Sequence, residues 1–211
     1  MFYGHFQFDV VKVRYILERN FRYVILCMLR RNLLNRSSLP SELKAFLLDY
    51  PRKGWSENPN FQHFSEFWLQ RHEMFRELSA HLIFLSQSIL NKEINEDEYQ
   101  KQTLRYSSFM LQQLHLHHEM EDNYFFPGIS KYDKKLIAAI ELLETDHSEI
   151  SALVDAYEEI LKRCTTPKET FIYAGNLLEC QSGFNKALKR HLEDEEDIIV
   201  PAALHYGYRR G

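Results

Sequence analysis

The chain has 211 residues, of which 45% are hydrophobic and 27% are charged, enough for one domain with a sizeable core. Its seven glycines and six prolines favour long ordered elements over loops. Three cysteines without a Cys-x-x-Cys pair argue against a disulfide framework and favour a reducing compartment. No apolar run reaches the roughly 20 residues that a membrane-spanning helix needs, and no cleavable signal is recognisable. We therefore expect a soluble, cytoplasmic protein.

The N-terminal region differs from the rest of the chain in charge. Residues 1–36 carry seven basic and two acidic side chains, whereas the formal net charge of the whole chain is −4. Residues 9–36 have a helical composition without glycine or proline. Their apolar residues predict packing on the main domain or on a second copy of the chain, as in a homodimer. Basic charge alone is a weak signal for nucleic-acid binding, and we do not expect that function.

A short second helix and a loop are predicted next. The segment from Leu39 to Tyr50 has helical composition, with Ser41 in the position of an N-cap. The loop that follows contains Pro51, Gly54 and Pro59. These signals place a boundary after residue 60, between an N-terminal basic helical segment (1–60) and a main domain (61–211).

Four long helices are predicted in the main domain, joined by short connections. Their approximate ranges are Phe61–Leu90, Glu96–Tyr124, Lys134–Arg163 and Pro167–Pro201. The second ends near Pro127-Gly128, and the fourth begins at a proline, which suits a first helical turn. Short connections join antiparallel neighbours. The predicted fold is therefore all-α, an up-down-up-down four-helix bundle with an additional N-terminal helical segment.

Apolar residues recur in these helices at alternating spacings of three and four, which indicates one face turned to the bundle core. A histidine lies within each run. The core-facing positions of the third helix are Leu136, Ile140, Leu143, His147, Ile150, Val154, Tyr157 and Leu161. Those of the second are Met110, Leu114, His117, Glu121 and Tyr124, and those of the fourth are Phe184, Leu188, His191, Glu195 and Ile198. In the first helix His72 lies between Trp68 and Phe75.

Two halves of the main domain repeat one motif. His117 and Glu121 form a His-x-x-x-Glu pair, and so do His191 and Glu195, and each pair is followed by a proline six residues after the glutamate. Residues four apart lie on one face of a helix. Each helix therefore presents an imidazole and a carboxylate to the same side of the bundle.

The four core histidines are expected at one level of the bundle. In an antiparallel hairpin, residues equidistant from the turn lie side by side. For each neighbouring pair among His72, His117, His147 and His191, the midpoint falls inside or beside the connection between the two helices. Three independent connections thus give the same result.

Such a cluster predicts a metal centre. An unpaired carboxylate in a protein core costs several kcal/mol, and bound cations remove that cost. Imidazole and carboxylate ligands suit iron or manganese better than structural zinc, and six ligands are too many for one tetrahedral ion. We expect two ions bridged by the two glutamates, with positions open for a small ligand. The predicted ligands are His72, His117, Glu121, His147, His191 and Glu195.

An alternative register in the second helix pairs His118 with Asp122, but its equivalents in the fourth helix, Leu192 and Glu196, break the repeat. Otherwise His118 and Asp122 are expected to support the ligands or to face solvent. Four aromatic residues are predicted to exclude water: Trp68, Phe75, Phe125 and Phe126. Five histidines are not expected to be ligands: His5, His63, His81, His115 and His205. The acidic residues Glu193, Asp194, Glu196 and Asp197 are expected to form a solvated face.

This arrangement resembles the hemerythrin-like, or HHE, cation-binding family over roughly residues 61–205. Within that family the four-histidine, two-glutamate set is similar to the bacterial repair-of-iron-centres di-iron proteins. The resemblance implies two iron ions joined by an oxo or hydroxo bridge, with manganese as the alternative. Respiratory hemerythrins have a second histidine one turn after the third-helix ligand, where this chain has Ser151. The repair proteins carry an N-terminal Cys-Cys pair, whereas residues 1–60 contain Cys27 alone.

Three functional hypotheses follow. The first is a non-haem di-iron protein that binds or reacts with a diatomic molecule or an oxidant (O2, NO or peroxide), or handles iron under stress. The second is a sensor of iron, oxygen or redox state that signals through its N-terminal segment. The third is an iron store or donor. The first is the preferred hypothesis, and the other two are its alternatives.

Overall fold

The computed structural model describes residues 32–44, 46–61, 64–166 and 169–208, and no strand occurs in these ranges. Four long helices form the main domain: α1 (Phe64–Leu90), α2 (Glu96–Met120), α3 (Ile137–Cys164) and α4 (Thr170–Tyr206). Helix α4 packs against both α3 and α1, and α2 packs against α1 and, over a smaller area, against α3. The expected all-α fold class is confirmed.

Local side-chain chemistry accounts for several helix ends. Helix α2 begins after Asn95, whose side chain accepts a hydrogen bond from the Glu98 N–H at 2.9 Å. Asp133 accepts a bond from the Lys135 N–H at 2.8 Å and starts the 3-10 turn Lys134–Leu136 that leads into α3. Helix α4 ends at Gly207, which has a left-handed φ of 59°.

The predicted end of the fourth helix was wrong. Helix α4 continues through Pro201 to Tyr206. A proline removes one backbone hydrogen bond, but every residue from Ile198 to Leu204 is buried, and this packing keeps the segment helical. The predicted start at Pro167 lies outside the described residues.

The second helix also departs from its prediction. After Met120 the chain forms a π-helical turn, Glu121–Phe125, and then a short α-helical segment, Phe126–Ile129, so it continues past Pro127. A π turn holds more residues than an α turn and rotates the following side chains around the axis. Tyr124, predicted to face the core, is therefore 66% exposed, whereas Phe126 is fully buried.

The segment before the bundle is less helical than predicted. In place of a helix over Leu39–Tyr50 there is one 3-10 turn, Ser41–Leu43, followed by further turns. Pro40, not Ser41, occupies the N-cap position, and no side chain caps the turn. Without a cap the first amide groups of an α-helix lack partners. Of the predicted helix 9–36, residues 9–31 lie outside the described part, and Asn32–Asn35 is helical.

The core has two large parts along the bundle. One includes Phe75, Leu82, Leu114, Ile150 and Phe184. The other includes Trp68, Phe126, Ile129, Leu143 and Ile198. The predicted ligands lie where the two parts meet, since His72 stands between Trp68 and Phe75 on α1.

Residues 32–60 pack on the bundle. Leu33 is 1% exposed and belongs to the larger core cluster, and Leu39 is buried in the second. Trp55 is buried against Val200 and Leu204 of α4. A domain boundary after residue 60 stays a prediction. No helix in the described ranges is long and apolar enough to cross a membrane.

The packing of residues 32–60 can be tested with two leucines of that segment. Leu33→Ala should lower the free energy of unfolding by about 2–5 kcal/mol, because it leaves a cavity in the core. Leu48 is 85% exposed, so Leu48→Ala should change the free energy of unfolding by less than about 0.5 kcal/mol. Urea denaturation of both variants gives the two values. Equal, small effects would mean that the segment contributes nothing to the core.

Candidate metal centre

The structure brings the six predicted side chains together in the core. His72, Glu121, His191 and Glu195 have no exposed surface, and His117 and His147 are 6% and 5% exposed. Each of the four long helices contributes at least one histidine, while Glu121 comes from the π turn after α2 and Glu195 from α4. The level predicted from the sequence is therefore observed for all four histidines.

One group of potential ligands comprises His72, His117, Glu121 and Glu195. One nitrogen or oxygen from each lies within 4.8 Å of the others. The Nε2 atoms of His72 and His117 are 3.2 Å apart, and His117 Nε2 lies 2.8 Å from Glu121 Oε1. This spacing lets a single cation contact all four side chains.

A second group comprises His118, Glu121, His147 and His191, again with atoms within 4.8 Å of one another. His147 Nε2 lies 3.3 Å from Glu121 Oε2, and the His118 and His147 rings stack with centroids 3.9 Å apart.

Both glutamates touch both groups. Glu121 directs Oε1 toward the first group and Oε2 toward the second. Glu195 Oε2 lies 3.4 Å from His72 Nε2 and 3.5 Å from His191 Nε2. The arrangement suits two neighbouring cations that share two carboxylates. The role of the six residues as ligands stays a prediction.

His118 lies in the second group of potential ligands, although the preferred register of the second helix did not predict it as a ligand. The sequence offered His118 with Asp122 as an alternative, but the structure separates the two: His118 joins the second group, and Asp122 contacts the back of His147. The π turn that begins at Glu121 follows directly on α2 and alters the register there. The spacing of three between His118 and Glu121 was the available sequence signal.

Polar atoms at the centre lack hydrogen-bond partners. Within the described residues, none of the four carboxylate oxygens of Glu121 and Glu195 has a partner of good geometry, and neither does Nε2 of His118, His147 or His191. Buried polar atoms are nearly always hydrogen bonded. Unpaired atoms that converge on one point are those that bound cations would satisfy, so the donor set fits a metal centre.

Acidic side chains lie behind three of the histidines. Asp122 Oδ1 is 2.8 Å from His147 Nδ1, and Glu196 Oε1 is 3.0 Å from His72 Nδ1. Asp146 Oδ2 is 3.6 Å from His191 Nδ1. The first two distances are those of hydrogen bonds, which fix the ring and leave its Nε2 free for a metal. The third is an ion-pair contact that is too long for a hydrogen bond.

The predicted solvated acidic face was partly wrong. Asp194 is fully buried and Glu196 is 2% exposed. Both form ion pairs with arginines, which lie within the same helix or reach α4 from other parts of the chain. The spacing of these acids along α4 gave no sign of partners so distant in sequence.

The protein's own charges set unusual pKa values here. Burial, together with the neighbouring Glu121, raises the pKa of Glu195 well above its usual range. Burial opposes ionisation of Glu121, but His117 and His147 outweigh it and lower the pKa. Burial lowers the pKa of His72 to about 4. For His147 burial is outweighed by Asp122 and Glu121, which raise the pKa to about 9. Without a cation, the Glu195 carboxyl thus favours its protonated form and the Glu121 carboxyl its ionised form.

Aromatic rings enclose the centre, as predicted. Trp68 contacts the rings of His72 and His117, with centroids 6.1 and 5.7 Å apart. Phe75 lies against His117 and Phe126 against His147. Phe125 packs edge-on to Trp68. These contacts exclude water from most of the site.

One pocket of about 190 Å³ opens beside His117. Its lining is mostly apolar: Phe67, Trp68, Arg71, Gln113, Leu116, His117, Met120 and Phe125. Arg71 donates a hydrogen bond to Gln113 Oε1 at 3.3 Å. The pocket connects the surface between α1 and α2 with a histidine of the first group.

The other histidines lie away from both groups. His115 is 72% exposed at its side chain and contacts Glu119. His81 packs against Phe84 and Tyr106, and His205 packs against Phe46 and Tyr50. His5 and His63 lie outside the described residues.

Comparisons with known proteins agree with this geometry. The hemerythrin HHE cation binding domain family matches residues 63–203, which include all four long helices except the last residues of α4. No curated protein and no solved structure matched the chain. Because the match covers well over half of the chain and its core holds the clustered histidines and glutamates, the protein belongs to the hemerythrin HHE cation-binding family.

Proposed function

We propose that this protein binds two iron ions in its core and uses them to bind or react with a small diatomic molecule or oxidant such as O2, NO or peroxide, or to handle iron under stress. The single observation that carries the proposal is the pair of ligand groups sharing Glu121 and Glu195. Manganese is the alternative metal, since the same nitrogen and oxygen donors suit it.

The proposal assigns a role to each side chain. His72 and His117 would hold one ion, and His118, His147 and His191 the other, with both glutamates shared. Bound iron would supply redox chemistry and Lewis acidity. The protein's residues supply orientation and a dry environment: Asp122 and Glu196 fix imidazole rings, and Trp68, Phe75 and Phe126 exclude water.

The pocket beside His117 supports a small uncharged reactant. Its lining favours O2 or NO over hydrated anions, because apolar walls offer few hydrogen bonds. Gln113 and Arg71 are the polar groups in its wall. The two ligand groups differ in that only the first has a residue in this pocket.

A sensor is the second candidate. The observation in its favour is that Arg36 and Arg52, from the segment before the bundle, contact acids that lie behind ligand histidines. A change at the metals could thereby reach residues 32–60. Association of two chains through the basic N-terminal helices belongs to this proposal, as does a cytoplasmic location.

The first prediction from the proposed function concerns metal binding and the visible absorption spectrum. Protein loaded anaerobically with Fe(II) should bind two ions per chain, because two ligand groups are present. Exposure to O2 or NO should then change the visible absorption spectrum, since the ligand sphere has room for a small molecule. Iron analysis and absorption spectroscopy measure both. Bound iron without a spectral change would support storage or donation instead.

The second prediction separates the two groups. His118→Ala should remove about half of the bound iron, because it deletes a donor from the second group alone. His117→Ala should reduce binding in the first group. His115→Ala serves as the matched control, since His115 lies on the same helix but is exposed. If His118→Ala retains all of its iron with unchanged affinity, the six residues predicted from the sequence suffice.

The third prediction concerns pH. The pKa of Glu195 is raised and that of His147 is raised to about 9, so both must lose a proton before they can bind a cation. Metal affinity should therefore rise with pH over the neutral range, by roughly tenfold per unit for each proton released. Calorimetry with Mn(II) in two buffers of different ionisation enthalpy would count the protons. Affinity independent of pH would contradict the assigned protonation states.

A further inference from the structure

We infer that Arg36 and Arg52, which precede the HHE domain in the sequence, are positioning residues of the metal centre: they hold the acids that orient His191 and His72. The inference rests on the proposed metal binding. It adds residues 32–60 to the centre, although the family match begins at residue 63.

Arg36 lies in the core beside two buried acids. Its side chain is 7% exposed, and those of Asp146 and Asp194 are 1% and 0% exposed. The guanidinium donates two hydrogen bonds to Asp146, one to each oxygen, and a third from Nε to Asp194 at 2.8 Å. A fork of this kind fixes a carboxylate in one orientation. Asp146 Oδ2 also forms an ion-pair contact with Nδ1 of His191 at 3.6 Å, longer than a hydrogen bond.

Arg52 holds a second acid, Glu196, which lies behind His72. It donates to Glu196 Oε2 at 2.6 Å, to Asp197 Oδ1 at 2.7 Å and to the Glu193 carbonyl at 2.9 Å. The other oxygen of Glu196 lies 3.0 Å from His72 Nδ1 and accepts a bond from Arg76 at 2.6 Å. Arg52 and Arg76 thus hold Glu196 from both sides.

The contacts that start at Arg36 and those that start at Arg52 follow the same order. Each runs from an arginine to a carboxylate, then to the Nδ1 side of an imidazole, and ends at an Nε2 atom next to Glu195 Oε2. Loss of the arginine would leave a buried carboxylate without its partner and free to move. The imidazole would then lose its fixed orientation, and the bound ion would dissociate more readily.

Arg190 provides a control because it forms a comparable ion pair that leads to no histidine. It donates to Asp194 Oδ1 at 2.6 Å, is 16% exposed, and its partner is fully buried. Among the described residues, the ion pairs of Asp194 are with Arg36 and Arg190, and none is with an imidazole. Removal of Arg190 therefore costs stability without disturbing an acid behind a ligand.

The experiment compares Arg36→Met, Arg36→Lys, Arg52→Met and Arg190→Met in the full-length, iron-loaded protein. The readouts are the rate of iron release to an excess of chelator, the absorption spectrum and the melting temperature. Arg36→Met should release part of its iron about tenfold faster and shift the absorption bands. Arg36→Lys should restore part of the retention. Arg52→Met should have a smaller effect, because Arg76 still holds Glu196.

The controls separate positioning from stability. Arg190→Met should lower the melting temperature but keep the wild-type release rate and spectrum. If Arg36→Met fails to fold, Arg52→Met still decides, since Arg52 is 45% exposed and its loss leaves the core intact. Wild-type release rates and spectra in both Arg36→Met and Arg52→Met, or equal acceleration in Arg190→Met, would overturn the inference alone. A wild-type protein that binds no iron would overturn the proposed function as well.

Discussion

The confinement of Glu121 and Glu195 with several imidazoles in an otherwise apolar core is the constraint on which the rest of the structure depends. Both carboxylates are fully buried and lack hydrogen-bond partners among the described residues. Such groups would destabilise the fold unless protons or cations neutralise them. The protein's own groups do so only in part: burial and the neighbouring Glu121 raise the pKa of Glu195, so that its carboxyl favours the protonated form in place of a charge that the site would have to stabilise. Bound cations would remove the conflict, and the aromatic rings around the site exclude water from most of it.

Much of this arrangement could be predicted from the sequence, because it follows from periodicity and from distance to the turns. The four histidines were placed at one level by their spacing from the connections, and the helix ranges of α1 and α3 agreed closely with the apolar pattern. The π turn after Met120 could not be predicted in this way, since it changes the number of residues per turn within an otherwise helical segment. It accounts for the exposed Tyr124. His118 lies just before this turn, and the six-residue ligand set stays a prediction.

Local sequence patterns could not predict the contacts around the candidate metal centre. Arg36 and Asp146 are 110 residues apart, and Arg52 and Glu196 are 144 apart. Periodicity described the acidic residues Glu193, Asp194, Glu196 and Asp197 of α4 only as polar positions on a helix, so all four were expected to face solvent. Asp194 and Glu196 are instead buried with arginine partners, and Glu196 also lies 3.0 Å from His72 Nδ1. The segment before the bundle, which composition alone set apart, is therefore linked to the core by ion pairs as well as by Leu33 and Trp55.

The central claim is that two cations lie side by side between Glu121 and Glu195. Anomalous diffraction at the iron absorption edge, from crystals of the iron-loaded protein, tests it most directly. The account predicts two peaks about 3.5–4 Å apart, one near His72 and His117 and the other near His118, His147 and His191. A single peak would contradict the shared-carboxylate arrangement, and density without any peak between the two glutamates would contradict metal binding at this site altogether.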